Sequence, residues 1–387
     1  MTAYLDWNAT APVLPAARDA ALAALALGGN PSAIHSSGRA ARKVLEDSRA
    51  LLAGALDAKP SQVVFTSGAT EANNLAIQGL AGQAGFILVS AIEHPSVLEA
   101  VRHSGLPFEL VPVTREGVVD ITVLAERLAA LASHVEGRVL IAVMAANNET
   151  GVIQPVARIV ELAGKAGAAV HCDAVQAFGK TPLSFAALGV DTLSVSAHKI
   201  GGPSGVGALL VADNVPLAAC IHGGGQERRR RAGTENLAGV AGFAAAARGV
   251  DAMVAEMRRV TNLRDELEST LARLVPGSVV FGQAAPRLAN TTLLGNPDLR
   301  ADVQLVALDL AGIAVSAGAA CSSGKVEASH VLDAMGAGDL ASRAIRISLG
   351  WTTKKDEIDA FVDAYLNLVA ARAAPVRAPQ PRIAVGA

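Results

Sequence analysis

The chain has 387 residues, 51% of them apolar and only 18% charged, and its 33 basic and 35 acidic side chains leave a net charge of −2. That length and apolar content can bury a sizeable core and exclude a disordered chain, while the charge balance gives no general reason to bind nucleic acid or a membrane surface. Three cysteines, an odd and sparse set, exclude a disulfide scaffold and point to a reducing compartment.

In chain order, residues 1–7 contain Asp6 and lack the basic and apolar regions of a signal peptide, so a cytoplasmic protein with no membrane span is expected. Residues 38–57 place Val44, Leu45, Leu51, Leu52, Ala55 and Leu56 on one helical face. The uncharged run between Glu71 and Glu93 reads as helix, turn and strand, because Asn, Gln and Gly interrupt it. Strands are expected at Val63–Thr66, Phe86–Ser90, Phe108–Pro112, Val139–Met144, Ala168–Cys172, Thr192–Ser196 and Gly207–Val211, with helical segments between the first six. This alternation predicts an α/β fold with a mainly parallel sheet flanked by helices. The last two strands are joined by a Gly/Pro-rich loop too short for a helix, so that pair is expected to be antiparallel.

Beyond about residue 235 the pattern changes to a long Ala-rich helical stretch, strands near Val279–Phe281, Asn290–Leu294 and Ala344–Leu349, and a final helix. That helix is expected to begin at a capping box, Thr353-Lys-Lys-Asp356, and to bury Ile358, Phe361, Val362, Tyr365 and Val369. The expected division is a large domain over 12–250, a smaller α+β domain over 1–11 and 251–373, and a mobile tail over 374–387.

Three stretches carry chemistry. Asp191-Thr-Leu-Ser-Val-Ser-Ala-His-Lys199 is a β-branched strand running into Ser196, His198 and Lys199, followed by a glycine-rich turn. A lysine at the mouth of a sheet has its amine pKa lowered by burial and nearby cations, which suits it to bond a carbonyl; the plainer reading is a solvated loop lysine. Ala168-Ala-Val-His-Cys-Asp173 ends a buried strand in an acid suited to pair with a pyridinium nitrogen, or simply to cap the next segment. Val64-Phe-Thr-Ser-Gly-Ala69-Thr70-Glu71 is a strand, a small-residue turn and a helix start, which offers N–H groups to a phosphate unless Ser67 or Thr70 caps the helix.

A lysine, an acid on an earlier strand and a phosphate-cradling turn are the parts that hold pyridoxal 5'-phosphate. With them, the chain resembles a cysteine desulfurase of the NifS/IscS type, within the class V aminotransferase family of fold-type I pyridoxal phosphate enzymes. The matching stretches include Leu5-Asp-Trp-Asn-Ala-Thr10, Thr66-Ser-Gly-Ala-Thr-Glu71, Glu93-His-Pro95, Asn147-Asn-Glu149, Asp173-Ala-Val-Gln176, Ser196-Ala-His-Lys199, Arg231-Ala-Gly-Thr-Glu-Asn236 and Gly318-Ala-Ala-Cys-Ser322. They follow the family's order over nearly the whole chain.

The resemblance implies a large domain with a seven-stranded sheet, a smaller α+β domain and the following roles. Lys199 would bond the cofactor, Asp173 would pair with its ring nitrogen, Gln176 would hydrogen-bond its ring hydroxyl, and His94 would stack on the ring and move protons. Ala69, Thr70, Ser196 and His198 would bind the phosphate, joined by Thr234 from the second subunit of a homodimer. Arg346, with Asn148 beside it, would clamp the carboxylate of L-cysteine; as an isolated residue Arg346 also reads as a surface-facing edge-strand arginine. Cys321 would accept the sulfur as a persulfide, on a loop of about residues 316–330 long enough to deliver it to an iron–sulfur scaffold or another acceptor protein. Cys172 and Cys220 read as packing thiols, and no metal site is expected.

Two features depart from the family. Ala317 and Ala319 stand where serines are usual, and Arg228-Arg-Arg-Arg231 is more basic. The competing readings are another fold-type I enzyme, such as a selenocysteine lyase or a class V aminotransferase, and a binding protein that has lost the chemistry.

Overall fold

The computed structural model describes residues 3–131, 134–318 and 328–373. Cys321, Ala319 and the tail from residue 374 therefore lie outside the described residues.

The first half of the chain alternates helices and strands: β1 (Ala3–Tyr4), α1 (Pro15–Leu27), α2 (Ser36–Ala55), β2 (Val63–Thr66), α3 (Ala69–Ala81), β3 (Ala84–Ser90), α4 (Pro95–Arg102), β4 (Phe108–Val111), α5 (Ile121–Leu131), β5 (Arg138–Met144), α6 (Val156–Ala166), β6 (Ala169–Asp173), α7 (Phe185–Leu188), β7 (Thr192–Ser196) and β8 (Gly207–Val211). Strands β2 to β8 form one seven-stranded sheet in the order β2-β8-β7-β6-β5-β3-β4. The pairs β3–β4, β3–β5, β5–β6 and β6–β7 are parallel, whereas β8 runs antiparallel to both β7 and β2. The expected antiparallel pair is thus present. Strands β6, β7 and β8 are buried throughout, as the near-continuous apolar runs of a covered sheet require. In such sheets a ligand crevice forms beyond the carboxyl ends of the parallel strands.

The second half contains α8 (Leu237–Ala247), α9 (Val250–Leu274), β9 (Val279–Val280), β10 (Thr291–Gly295), α10 (Ala301–Leu310), β11 (Ile313–Ala314), β12 (Ser316–Ala317), α11 (His330–Ala334), β13 (Ala344–Ser348) and α12 (Lys355–Ala373). A four-stranded sheet runs β12-β13-β10-β9, and β1 pairs in parallel with β11, which ties the N-terminus to this half. Two-residue strands such as β11 and β12 carry no periodicity, and the sequence did not predict them. Ser316 and Ala317 lie in β12 and His330 opens α11, so only residues between these elements remain of the expected 316–330 loop.

The final helix buries Ile358, Phe361 and Tyr365, the last two rings stacked at 5.6 Å. Its cap differs from the expected one by a residue. Lys354 N–H donates to Glu357 Oε2 (2.9 Å), while Thr353 turns its Oγ1 inward to accept Gly350 N–H (2.8 Å). Among the described residues no single helix is long and apolar enough to cross a membrane.

Helix α2 buries Ala41, Leu45 and Leu52 on its inner face, and among them a charged residue, Arg49. Its guanidinium makes a bidentate pair with Glu227 (2.7 and 2.8 Å) and sits over the Phe65 ring at 4.9 Å. Glu227 also accepts Phe65 N–H (2.8 Å), which anchors a turn whose residues Glu227, Arg228 and Arg229 have φ of 44°, 56° and 65°. Left-handed backbone at three successive non-glycine residues is costly and persists only where other contacts hold it. In Arg49→Met the Glu227 carboxylate would lose its buried partner. A destabilisation of about 3–5 kcal/mol is expected, read as a lowered midpoint of urea unfolding, and an unchanged midpoint would contradict it.

Candidate active site

A cleft of about 680 Å³ opens where the carboxyl ends of the parallel strands meet the smaller sheet. Ala69, Thr70, His94, Asn148, Asp173, Gln176, Ser196, His198, Lys199 and Arg346 all line it. Thr234 is exposed and does not line the cleft of its own chain.

At one end lies the N-terminus of α3. The N-cap residue is Gly68 and makes no side-chain cap. The helix has no side-chain cap, so neither Ser67 nor Thr70 covers its first turn; Thr66 Oγ1 donates to Gly68 O (2.9 Å), and Ser67 N–H donates to Glu71 Oε2 (2.8 Å). The N–H groups of Ala69 and Thr70 therefore remain available to an anion. Gly207 on β8 lies directly beneath: a Cβ there would come within 2.8 Å of the Gly68 Cα, so only glycine permits this approach. His198 also lines the cleft, with Nδ1 3.3 Å from Thr10 Oγ1, and burial together with Lys199 and Lys180 pushes its imidazole down to about 4, so the ring is neutral.

Asp173 ends β6. One carboxylate oxygen accepts Val175 N–H (3.0 Å) and the other accepts Asn73 Nδ2 (2.8 Å). The acid therefore caps its own turn and lines the cleft at once. Asn73, fully buried on α3, also donates to Ser96 Oγ (2.9 Å) and accepts Ser194 Oγ–H (2.5 Å), with His171 Nε2 at 3.1 Å. Burial pushes His171 down to about 4, so its neutral ring donates there and takes the Thr192 hydroxyl at Nδ1 (3.0 Å). His94 caps α4: its Nδ1 accepts Ser96 N–H (3.1 Å) and lies 2.7 Å from Ser96 Oγ. A neutral His94 consequently carries its proton on Nε2. Burial lowers its pKa, partly opposed by Asp173 and assisted by Lys199 and His330.

Lys199 donates to the carbonyls of Asn8 (2.5 Å) and Ala9 (2.8 Å). Burial, with Arg346 nearby, lowers its amine to about 8, although Asp6 and Asp173 act in the opposite direction. The lysine is not a solvated loop residue.

Arg346 lies on β13 between β10 and β12, not on an edge, and is 5% exposed. It donates to Asn148 O (2.9 Å) and Asp6 Oδ1 (2.8 Å), while its buried Nε–H has no acceptor among the described residues. Such a donor is costly unless a ligand completes it. Nearby, the buried Glu149 accepts Ser329 Oγ–H (2.5 Å) and abuts Gly318, where a Cβ would fall 2.0 Å from its carboxylate. Burial raises the Glu149 pKa, against the pull of Ser329, His330 and Arg346.

Two cysteine expectations separate here. Cys172 is buried in β6, where burial and Asp173 push its thiol well up. Cys220 is exposed and is not a packing thiol. Sequence reasoning passed over Asn73 and Lys180, whose polar character inside otherwise apolar stretches was the available signal, and gave Asn8 no role although it stands in a quoted motif.

Residues 3–361 match the aminotransferase class-V family. The chain is 40% identical over 382 residues to an IscS-like cysteine desulfurase of Mycobacterium tuberculosis, covering 95% of this chain and 96% of that protein. It resembles the structure of a NifS-like protein from Rickettsia africae at a TM-score of 0.88 and 36% identity, covering 96% of this chain and all of that one. It also resembles SspA, solved in complex with cysteine, at a TM-score of 0.76 and 29% identity over 90% of this chain and 99% of that one. With its fold-type I architecture and near-complete overlap with these proteins, the chain belongs to the class-V aminotransferase family, in the branch of NifS- and IscS-like cysteine desulfurases.

Proposed function

We propose that the protein is a cysteine desulfurase that uses pyridoxal 5'-phosphate to convert L-cysteine to L-alanine and passes the sulfur to Cys321 as a persulfide. The observation that carries this reading is the meeting, in one cleft, of a lysine amine lowered to about 8, a buried carboxylate and an uncapped helix N-terminus. Those three groups fit an aldehyde, a ring nitrogen and a phosphate. The cysteine held by the SspA relative agrees with the substrate.

When bound, the cofactor would supply an electron sink for bonds broken at the substrate's α and β carbons. Lys199 would hold it covalently, and Asp173, fixed by Asn73 and Val175 N–H, would keep its ring nitrogen protonated. Ala69, Thr70, Ser196 and His198 would take the phosphate, with Thr234 contributed across a homodimer. Arg346 would meet the substrate carboxylate and so satisfy its orphaned Nε–H, beside Asn148. His94, its Nδ1 engaged by Ser96, would receive or return protons at Nε2. The Cys321 thiolate would attack the substrate sulfur, forming an S–S bond while the Cβ–S bond breaks and its electron pair leaves with the carbon skeleton. The persulfide would then pass to an acceptor, such as an iron–sulfur scaffold.

Purified protein loaded with cofactor should yield sulfide and alanine in equal amounts from L-cysteine and a thiol reductant. Cys321→Ala should lose this turnover and retain the cofactor's absorbance. Full turnover in that variant would overturn the persulfide route.

A further inference from the structure

A second lysine lies beneath the site, and no step above uses it. Lys180 is 5% exposed, and its Nζ donates to Gln176 Oε1 (2.5 Å) and Asn8 Oδ1 (2.7 Å). Gln176 Nε2 in turn donates to Asn8 O (3.0 Å), the carbonyl that also accepts from Lys199. This arrangement settles which way the Gln176 amide faces. Flipping it would set the amide nitrogen against the Lys180 amine and the amide oxygen against the Asn8 carbonyl, two mismatches at once. A neutral Lys180 amine has two hydrogens for the two amide oxygens; its lone pair would accept from a flipped amide, but the clash of Gln176 Oε1 with the Asn8 carbonyl would remain and still set the orientation. The Asn8 amide that holds the Lys180 amine is itself fixed: its Oδ1 also accepts Asn290 Nδ2 (3.0 Å) and its Nδ2 donates to Thr291 Oγ1 (2.9 Å). With Oε1 committed to Lys180 and one Nε2 hydrogen committed to Asn8, Gln176, a residue of the cleft lining, retains one N–H for a ligand.

We propose that Lys180 is a positioning residue that locks the Gln176 amide with its N–H toward the cofactor's ring hydroxyl, and thereby favours the ionised form of that oxygen. The inference rests on the pyridoxal phosphate reading above. A donor at the ring oxygen makes the bound chromophore lose its proton more readily, so removing the donor raises the pH midpoint of the cofactor's visible absorption.

The test is a pH titration of that absorption in holoenzyme carrying Lys180→Met, Gln176→Met or both, with cofactor affinity measured alongside. Each single variant is expected to raise the midpoint by about one to two pH units, and the double variant to shift no further than Gln176→Met alone, because Lys180 acts through Gln176. Lys180→Arg, which keeps donors at the same place, should restore much of the wild-type titration. An unchanged midpoint in Lys180→Met would overturn the proposal. Additive shifts in the double variant would also overturn it, since they would mean that Lys180 acts by its charge alone. If Lys180→Met does not fold, Lys180→Gln, too short to reach both oxygens, carries the same expectations. A wild-type protein that takes up no pyridoxal phosphate would refute the cofactor reading instead, a result visible before any variant is made.

Discussion

In a Lys199→Ala variant, cysteine turnover is expected to fall by at least about three orders of magnitude. The loss should appear in kcat, because the amine that bonds the cofactor is gone while the carboxylate clamp and the phosphate turn remain. The fold should survive, since the carbonyls of Asn8 and Ala9 that Lys199 engages lie at the cleft and can take water in its place. The wild-type protein offers a companion measurement. Its amine is lowered to about 8, so the neutral, reactive fraction grows roughly tenfold per pH unit below that value and levels off above it. Uptake of pyridoxal phosphate by the apoprotein should therefore accelerate up to about pH 8 and then plateau. A rise continuing past pH 10 would mean an ordinary lysine and would contradict the burial argument.

Arg346→Met is expected to raise KM for L-cysteine by about 10²- to 10³-fold, with a smaller effect on kcat, because one partner of a buried Arg–carboxylate contact is removed. The pair with Asp6 shows that the guanidinium is already held in place by an acid on the N-terminal segment, and the Asn148 carbonyl fixes its second arm. Cysteamine, which lacks the carboxylate, provides the control. Wild-type enzyme should favour L-cysteine strongly over it, and the variant should lose most of that preference. An equal loss on both compounds would show that Arg346 supports the architecture and does not read the carboxylate.

The fold was legible where the pattern is long. Seven strands with helices between the first six, and the short Gly/Pro-rich connection between β7 and β8, follow from runs of Val, Ile and Leu and from loop length. Of the two-residue strands, β9 was legible from its apolar run Val279–Phe281, whereas β1, β11 and β12 were not, because so short a stretch has no period and owes its strand conformation to a partner elsewhere in the chain. The cap of α12 was misplaced by one residue. Thr353 alone fits the capping pattern, but its hydroxyl is taken by the buried Gly350 N–H, and the acid that reaches back, Glu357, meets the N–H of Lys354 instead.

The same distinction runs through the site. Lys199, Asp173 and the Ser67-Gly68-Ala69-Thr70 turn were recognisable because each sits at the end of a strand with a characteristic neighbour. Their environment was not. The expected strand accounts for the burial of Cys172, but nothing local shows that Cys220 is exposed or places the Lys180 amine on Gln176 and Asn8. Asn73 reads along the chain as one of the polar residues that interrupt an uncharged run, yet across the fold it joins Asp173 to His171, Ser194 and Ser96.

By itself, then, the sequence determined the order of the elements, the identity of the chemical groups and the family to which they belong, because these depend on periodicity and on neighbours along the chain. Only the tertiary structure decided which donors remain unpaired, how far the Lys199 amine is lowered and which way an amide faces. Those properties arise from burial and from contacts between residues as far apart as Asp6 and Arg346 or Asn8 and Lys180, which come together only when the two sheets close on the cleft.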